Sequence, residues 1–279
     1  MKIAEVLGFG VETQSTTAQD SRAKTLCPFR GTKCTKSSKV EPISVCSLSH
    51  ANEAAALCPV RLTEGDRMFM EAARIAFGAN IPFAIFPEIR LLEIQPEKPG
   101  GRVRKIGKVD YLIGRLDGDK VMDFAAIEVQ AAYFSGNSIK PALRKFLAGD
   151  SSDLLTIDRR PDFRSSAQKR LMPQLQLKIP VFRRWGKKFF VVVDSLFFAA
   201  LPKFPTVSRA NSELTWLSFP IRQTDGDFKI QPVEVHFSSW EDVNTALREG
   251  TPPEPEEILA ELALKLSIPN SHVRRLISN

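Results

Sequence analysis

No run of apolar residues in this 279-residue chain approaches the ~20 needed to cross a bilayer as a helix. The stretch Met1 to Gln14 also lacks the charged-then-apolar pattern and cleavage site of a signal peptide, so a cytoplasmic protein without a membrane partner is expected. Cysteine is scarce: there are four, and none follows Cys58. The paired C-x-x-C spacing of common zinc ribbons is missing as well. Acidic residues are absent where basic ones gather. Arg22 to Lys39 holds six basic residues and no acid, and Arg159 to Lys188 holds ten against Asp162 alone.

What is present is an ordinary globular composition, 43% hydrophobic and 25% charged, with a formal net charge of +7. The length suits a large domain with an appendage, and the expected divisions are an N-terminal segment 1–65, a core 66–250 and a helical tail 251–279. Clustered Lys and Arg attract a polyanion, because each cation placed beside a phosphate releases condensed counterions without reading sequence. Duplex DNA is the expected partner. A solvated basic face would have the same composition.

Cys27, Cys34, Cys46 and Cys58 all fall in one short stretch. In a reducing compartment such a cluster reads as thiolate ligands rather than disulfides. Four thiolates complete a tetrahedron and leave no position open, so a structural metal knot pinning a loop-rich, core-poor segment from Thr25 to Pro59 is expected. Soft sulfur suits zinc or iron. Interleaved Arg30 and Lys33, with Lys36 and Lys39, are candidates to meet a DNA backbone, and His50 is a spare ligand.

The most regular segment, Lys108 to Gln130, predicts a β-hairpin: runs Val109–Leu116 and Val121–Gln130 around Asp117-Gly118. Counting back from the turn brings Asp110 to the same end as Glu128, and Glu128 shares a face with Gln130. Converging carboxylates in low dielectric repel unless a cation lies between them, and oxygen ligands suit Mg²⁺. Asp followed on the next strand by Glu-x-Lys is the arrangement of PD-(D/E)xK nucleases, here with Gln130 at the Lys position. Gln is neutral and can only orient water, leaving activation to the metal. Two decoys exist: Glu93 and Gln95 form a second E-x-Q, and Asp123 has the parity of the opposite face.

With these residues in hand, the chain resembles the NotI-type family of type II restriction endonucleases. The similarity runs through Ile3-Ala4-Glu5, Cys27-Pro28-Phe29, Cys46, Cys58-Pro59-Val60-Arg61-Leu62, Phe69 to Ala73 with Phe77-Gly78, Glu97 to Gly101, the Asp110 strand, Ile127 to Gln130 and Phe134 to Gly136, and more loosely through Phe163 to Lys178. The resemblance implies an α/β fold with a PD-(D/E)xK mixed sheet flanked by helices, and a homodimer cutting a palindromic, GC-rich site. It further implies Mg²⁺ on Asp110 and Glu128, Gln130 in the catalytic cluster, and an iron on Cys27, Cys34, Cys46 and Cys58.

Elsewhere, Asp66 to Phe77 has helical apolar spacing, and Lys188 to Asp194 reads as a buried central strand. Ser165 to Met172 reads as a short helix ended or kinked by Pro173, with Lys169 and Arg170 as phosphate contacts. After Thr251-Pro252-Pro253, the tail reads as two short helices, the second bearing Arg274 and Arg275. The competing reading is a non-enzymatic DNA-binding regulator that uses the four-cysteine knot, with the hairpin acids structural.

Overall fold

The computed structural model describes residues 2–36, 43–50, 53–94, 104–135, 138–149, 160–224, 226–248, 254–268 and 273–274. Lys39, the Glu97 to Gly101 motif, Gln95, Gly136, Arg159, most of the second tail helix and the side chains of Glu93 and His50 lie outside them. The chain divides into two compact units, 1–247 and 248–279.

The larger unit begins with β1 (Lys2–Val6), β2 (Phe9–Gly10), α1 (Thr16–Lys24), β3 (Leu26–Cys27), β4 (Thr32–Lys33), β5 (Val45–His50) and β6 (Glu53–Ala56). A 3-10 segment (Pro59–Asp66) leads into α2 (Arg67–Phe77), then β7 (Phe83–Ile94), β8 (Arg104–Asp117), β9 (Lys120–Val129), β10 (Tyr133–Ser135) and α3 (Lys140–Leu147). Next come β11 (Arg160–Asp162), α4 (Phe163–Ser166), a π-helical turn (Ala167–Leu171) and α5 (Met172–Arg184). The unit closes with β12 (Phe189–Asp194), α6 (Ser195–Ala199), β13 (Leu214–Phe219), β14 (Ile221–Thr224), β15 (Asp227–Ile230), β16 (Glu234–Ser238) and α7 (Trp240–Arg248).

The main sheet runs β16-β13-β12-β9-β8-β7 and is mixed: β12 is parallel to both neighbours and the other pairs are antiparallel. A strand covered on both faces must be apolar throughout, and all six residues of β12 are buried, as the run before Asp194 predicts. Phe189, Val191 and Val193 pack with Leu175, Ile179 and Phe182 of α5, whereas Phe190 and Val192 pack with Met68, Phe69 and Ala72 of α2. Helices thus cover both faces. Helix α2 forms where its apolar spacing predicts and ends at Gly78, whose φ of 106° a residue with a Cβ would resist.

Two expectations are corrected. The Thr25 to Pro59 stretch is not core-poor: Val45, Leu48, Ala54, Ala55, Ala56 and Leu57 are buried, because β5 and β6 pair and their small side chains allow close packing. Strands β1, β2, β5 and β6 share a second sheet with β14 and β15, in the order β15-β14-β6-β5-β1-β2. Finally, Pro173 does not end the helix. It falls in the first turn of α5, after the π turn, where its missing N–H and fixed φ are tolerated, and the helix continues to Arg184.

In the smaller unit, α8 (Pro255–Ser267) is the first of the two expected tail helices; a capping box between Glu254 and Glu257 starts it. Among the described residues, no helix is long and apolar enough to cross a membrane.

Candidate active site

Strands β8 and β9 form the expected hairpin, longer than the periodicity suggested and with its turn one residue later: Asp117 pairs with Lys120 and Gly118 takes a φ of 56°. The ladder runs down to Tyr111 opposite Ile127. One residue beyond, the Asp110 side chain takes over, its Oδ2 accepting the Val129 N–H at 2.9 Å. Opposite it on β7, Glu88 lies between the pairs Pro87–Tyr111 and Ile89–Val109 with the register unbroken, at a φ of 58°, and its carboxylate meets Lys108 at 2.8 Å.

Alternation along β9 puts Ala126 in the core under α5 and Ile127 in the core under α2, so Glu128 faces α5. There Lys178 donates to both Glu128 oxygens at 2.7 Å and to Gln174 Oε1 at 3.1 Å. Lys178 is 3% exposed and Glu128 2%. Gln130 is buried beside them, its amide nitrogen donating to the Ala131 carbonyl at 2.7 Å. Asp123 points elsewhere and pairs with Lys187, consistent with its parity.

Burial, reinforced by the Asp110 charge, pushes Glu128 up to about 7 despite Lys178. Burial also raises Asp110, against the Val129 N–H and Lys178, which lower it. A second buried carboxylate behaves alike. Asp194 ends β12, caps α6 by accepting the Phe197 N–H, and accepts the Ala56 N–H of β6, yet burial holds it at about 7. A carboxyl raised in the folded state contributes stability that is fully present below its ordinary pKa, 4.5 for Glu128 and 3.8 for Asp194, and is lost as pH rises through about 7. Without divalent ions the protein is therefore expected to melt several degrees lower at about pH 8 than at about pH 6. Added Mg²⁺ should narrow that gap by favouring ionised Glu128. Melting curves by circular dichroism check this, and a midpoint that climbs steadily between those pH values would contradict it.

A cleft of about 1160 Å³ opens over this end of the sheet. Asp110, Glu88, Gln130, Tyr133 and Gln174 line it, together with the basic candidates Arg30, Lys36, Lys169 and Arg170. The Arg170 guanidinium lies over the Tyr133 ring at 4.2 Å. Lys33 is exposed on β4 and is not among the lining residues. The basic stripe beyond Arg159 is not one solvated face. Lys178 is buried, Arg183 pairs with Glu213 and Lys187 with Asp123, because α5 turns successive residues to different sides.

The four cysteines are free thiols. Cys27 interacts electrostatically with Cys34 and Cys58, and Cys46 with Cys58, so the fold gathers them. The Phe29 and Arg30 N–H groups point at the Cys27 sulfur, and the Gly8 N–H reaches Cys46 Sγ at 3.2 Å. Gly8 (φ 81°) has to be glycine, since a Cβ there would lie 2.3 Å from Pro28 Cγ. Lys36 brings its ammonium among Cys34, Cys46 and Cys58, held by the Val45 and Leu57 carbonyls. The expected knot is thus gathered but not closed. Among the described residues, no group of three or more His, Cys, Asp or Glu side chains stands ready to hold a metal ion.

Sequence reasoning missed Lys178 and Tyr133, whereas Gln174, which follows Pro173, is a candidate for phosphate or base contact from the sequence and does line the cleft. For Lys178 a signal existed: it falls on the stripe Leu171, Leu175, Ile179, Phe182 that α5 buries, where an ammonium needs a partner. Compared with known families, residues 5–229 match the family described as Restriction endonuclease NotI. No curated protein matches the chain.

Proposed function

The chain belongs to the NotI restriction endonuclease family, and from that premise we propose a Mg²⁺-dependent type II enzyme that hydrolyses phosphodiester bonds in duplex DNA at a palindromic, GC-rich site. The observation that carries this reading is one cleft lined by Asp110, Gln130, Arg30, Lys169 and Arg170, with Glu128 buried on β9 two residues before Gln130, outside the lining itself. The mixed sheet and its hairpin suit a PD-(D/E)xK core.

Asp110 and Glu128 would hold the catalytic ion. Mg²⁺ takes one or two carboxylates and completes its shell with water and substrate phosphate, so two protein oxygens are a sufficient donor set. When bound, it supplies charge for the developing oxyanion and acidifies a water. Gln130, its amide nitrogen committed to Ala131, orients the attacking water through its oxygen. Arg30, Lys169 and Arg170 meet phosphates and position the duplex without reading it, with Lys33 contributing from outside the cleft. A homodimer matches a palindrome by symmetry, each copy cutting one strand.

Cys27, Cys34, Cys46 and Cys58 hold a structural iron, with zinc as the alternative. Support comes from their gathering and from the N–H groups aimed at the Cys27 and Cys46 sulfurs; burial, the larger influence, raises both thiols, so a bound metal would be what holds them as thiolates. Elemental analysis of the purified protein is expected to find about one iron per chain, and Cys46→Ser should lose it and melt lower. Protein free of both iron and zinc would remove this part of the proposal.

The deciding experiment digests DNA of known sequence and maps the fragment ends. Discrete ends with Mg²⁺ and none with EDTA are expected. DNA that is bound and shifted but never cut would favour a binding protein instead.

A further inference from the structure

The Lys position of the strand motif carries neutral Gln130, yet the two carboxylates are not without a cation. Lys178 reaches both oxygens of Glu128 from α5, a different element, and lies close enough to Asp110 to act on its charge. It also bonds Gln174, a residue of the cleft wall. An ammonium on the buried stripe of a helix is costly, and a buried ion pair is a weak source of stability, since a leucine or methionine would fill the same space at no desolvation cost. Its placement therefore calls for a reason other than packing.

We infer that Lys178 is the cation of the nuclease cluster, supplied by α5 in place of an ammonium on β9. It is a positioning residue: it aims Glu128 and balances its charge beside Asp110, so that the pair can share a divalent ion without repelling each other. The inference rests on the nuclease reading, and it separates two tasks that one strand lysine would combine. Gln130 orients water, while Lys178 sets the carboxylate.

The test uses the full chain and compares cutting rates at saturating Mg²⁺ with DNA binding in Ca²⁺. Lys178→Met is expected to cut about 10- to 100-fold more slowly, the range for partners that orient metal ligands, with binding unchanged. Because the neutral variant leaves Glu128 without its partner and can fail to fold, Lys178→Gln, a neutral donor to the same carboxylate, is assayed beside it with the same loss expected. The discriminating variant is Lys178→Met/Gln130→Lys, which returns an ammonium from the strand. Recovery of most of the lost rate supports the assignment, since a merely structural ion pair predicts no such rescue. Undiminished cutting by either neutral variant, or a double variant as far below Gln130→Lys alone as Lys178→Met is below wild type, overturns it. Wild-type protein that never cuts DNA would instead defeat the nuclease reading itself.

Discussion

Asp110→Asn and Glu128→Gln are each expected to slow DNA cutting by about three orders of magnitude or more, equivalent to about 4 kcal/mol of transition-state stabilisation. Each removes one of the two charges that would fix the ion, while Arg30, Lys169 and Arg170 still offer their cations to phosphate. Mobility shifts should therefore stay close to wild type. Asparagine is the sharper test at position 110 because it retains an acceptor for the Val129 N–H, whereas alanine also discards that bond, worth about 1 kcal/mol. The two variants should part company in stability. Asp110→Asn relieves a like-charge repulsion and should melt no lower than wild type at about pH 8. Glu128→Gln strands the buried Lys178 ammonium, a loss of about 3–5 kcal/mol. Cleavage at the wild-type rate by either variant would sink the assignment of these carboxylates.

A stability effect as large as that of Glu128→Gln is expected at Arg61. Its guanidinium is fully buried, donates to both Glu5 oxygens at 2.8–2.9 Å, to Glu64 at 2.8 Å and to the Phe228 carbonyl at 2.9 Å, and faces the Phe29 ring. Ser47 completes the Glu5 carboxylate. One side chain thus joins β1, the 3-10 segment and β15, with β5 linked through Ser47. Burial raises the Glu5 pKa and works to lower that of Arg61, which Glu5 and Glu64 nonetheless raise, keeping it charged, so neither partner tolerates loss of the other. Arg61→Met leaves Glu5 buried and unpaired, and is expected to cost about 3–5 kcal/mol. Against a total of about 5–15 kcal/mol, that removes between about a fifth and all of the stability. Adding Glu5→Gln should restore part of the loss, because a neutral amide needs no counter-charge. Urea unfolding of the single and double variants measures both. A single variant within about 1 kcal/mol of wild type would show that the network is dispensable.

The same pair illustrates how the sequence was legible and where it was not. Ile3-Ala4-Glu5 and Cys58 to Leu62 stood out as two unrelated family-like motifs more than fifty residues apart, and only the fold shows that Glu5 and Arg61 are halves of one interaction. Local signals read well. The hairpin, the face shared by Glu128 and Gln130, the α2 stripe and the β12 run all follow from periodicities of 2 and 3.6, which depend on neighbours in the chain. The effect of Pro173 depends on the π turn before it, and the cysteine stretch gains its core because β5 pairs with β1 and β6, and β6 with β14, partners far apart in the chain.

By itself, the sequence determined the chemistry on offer: two carboxylates and a glutamine on one hairpin, four thiols in one stretch, cations in two clusters, and membership of a restriction endonuclease family across residues 5–229. Tertiary structure decided which of these meet. It brought Lys178 to Glu128 across fifty residues, set Arg30, Lys169 and Arg170 around one cleft, and paired Arg183 with Glu213 and Lys187 with Asp123. The reason is physical. A carboxylate's partner is chosen by burial, which raises the cost of leaving charge unpaired, and burial is a property of packed layers that no single stretch of chain contains.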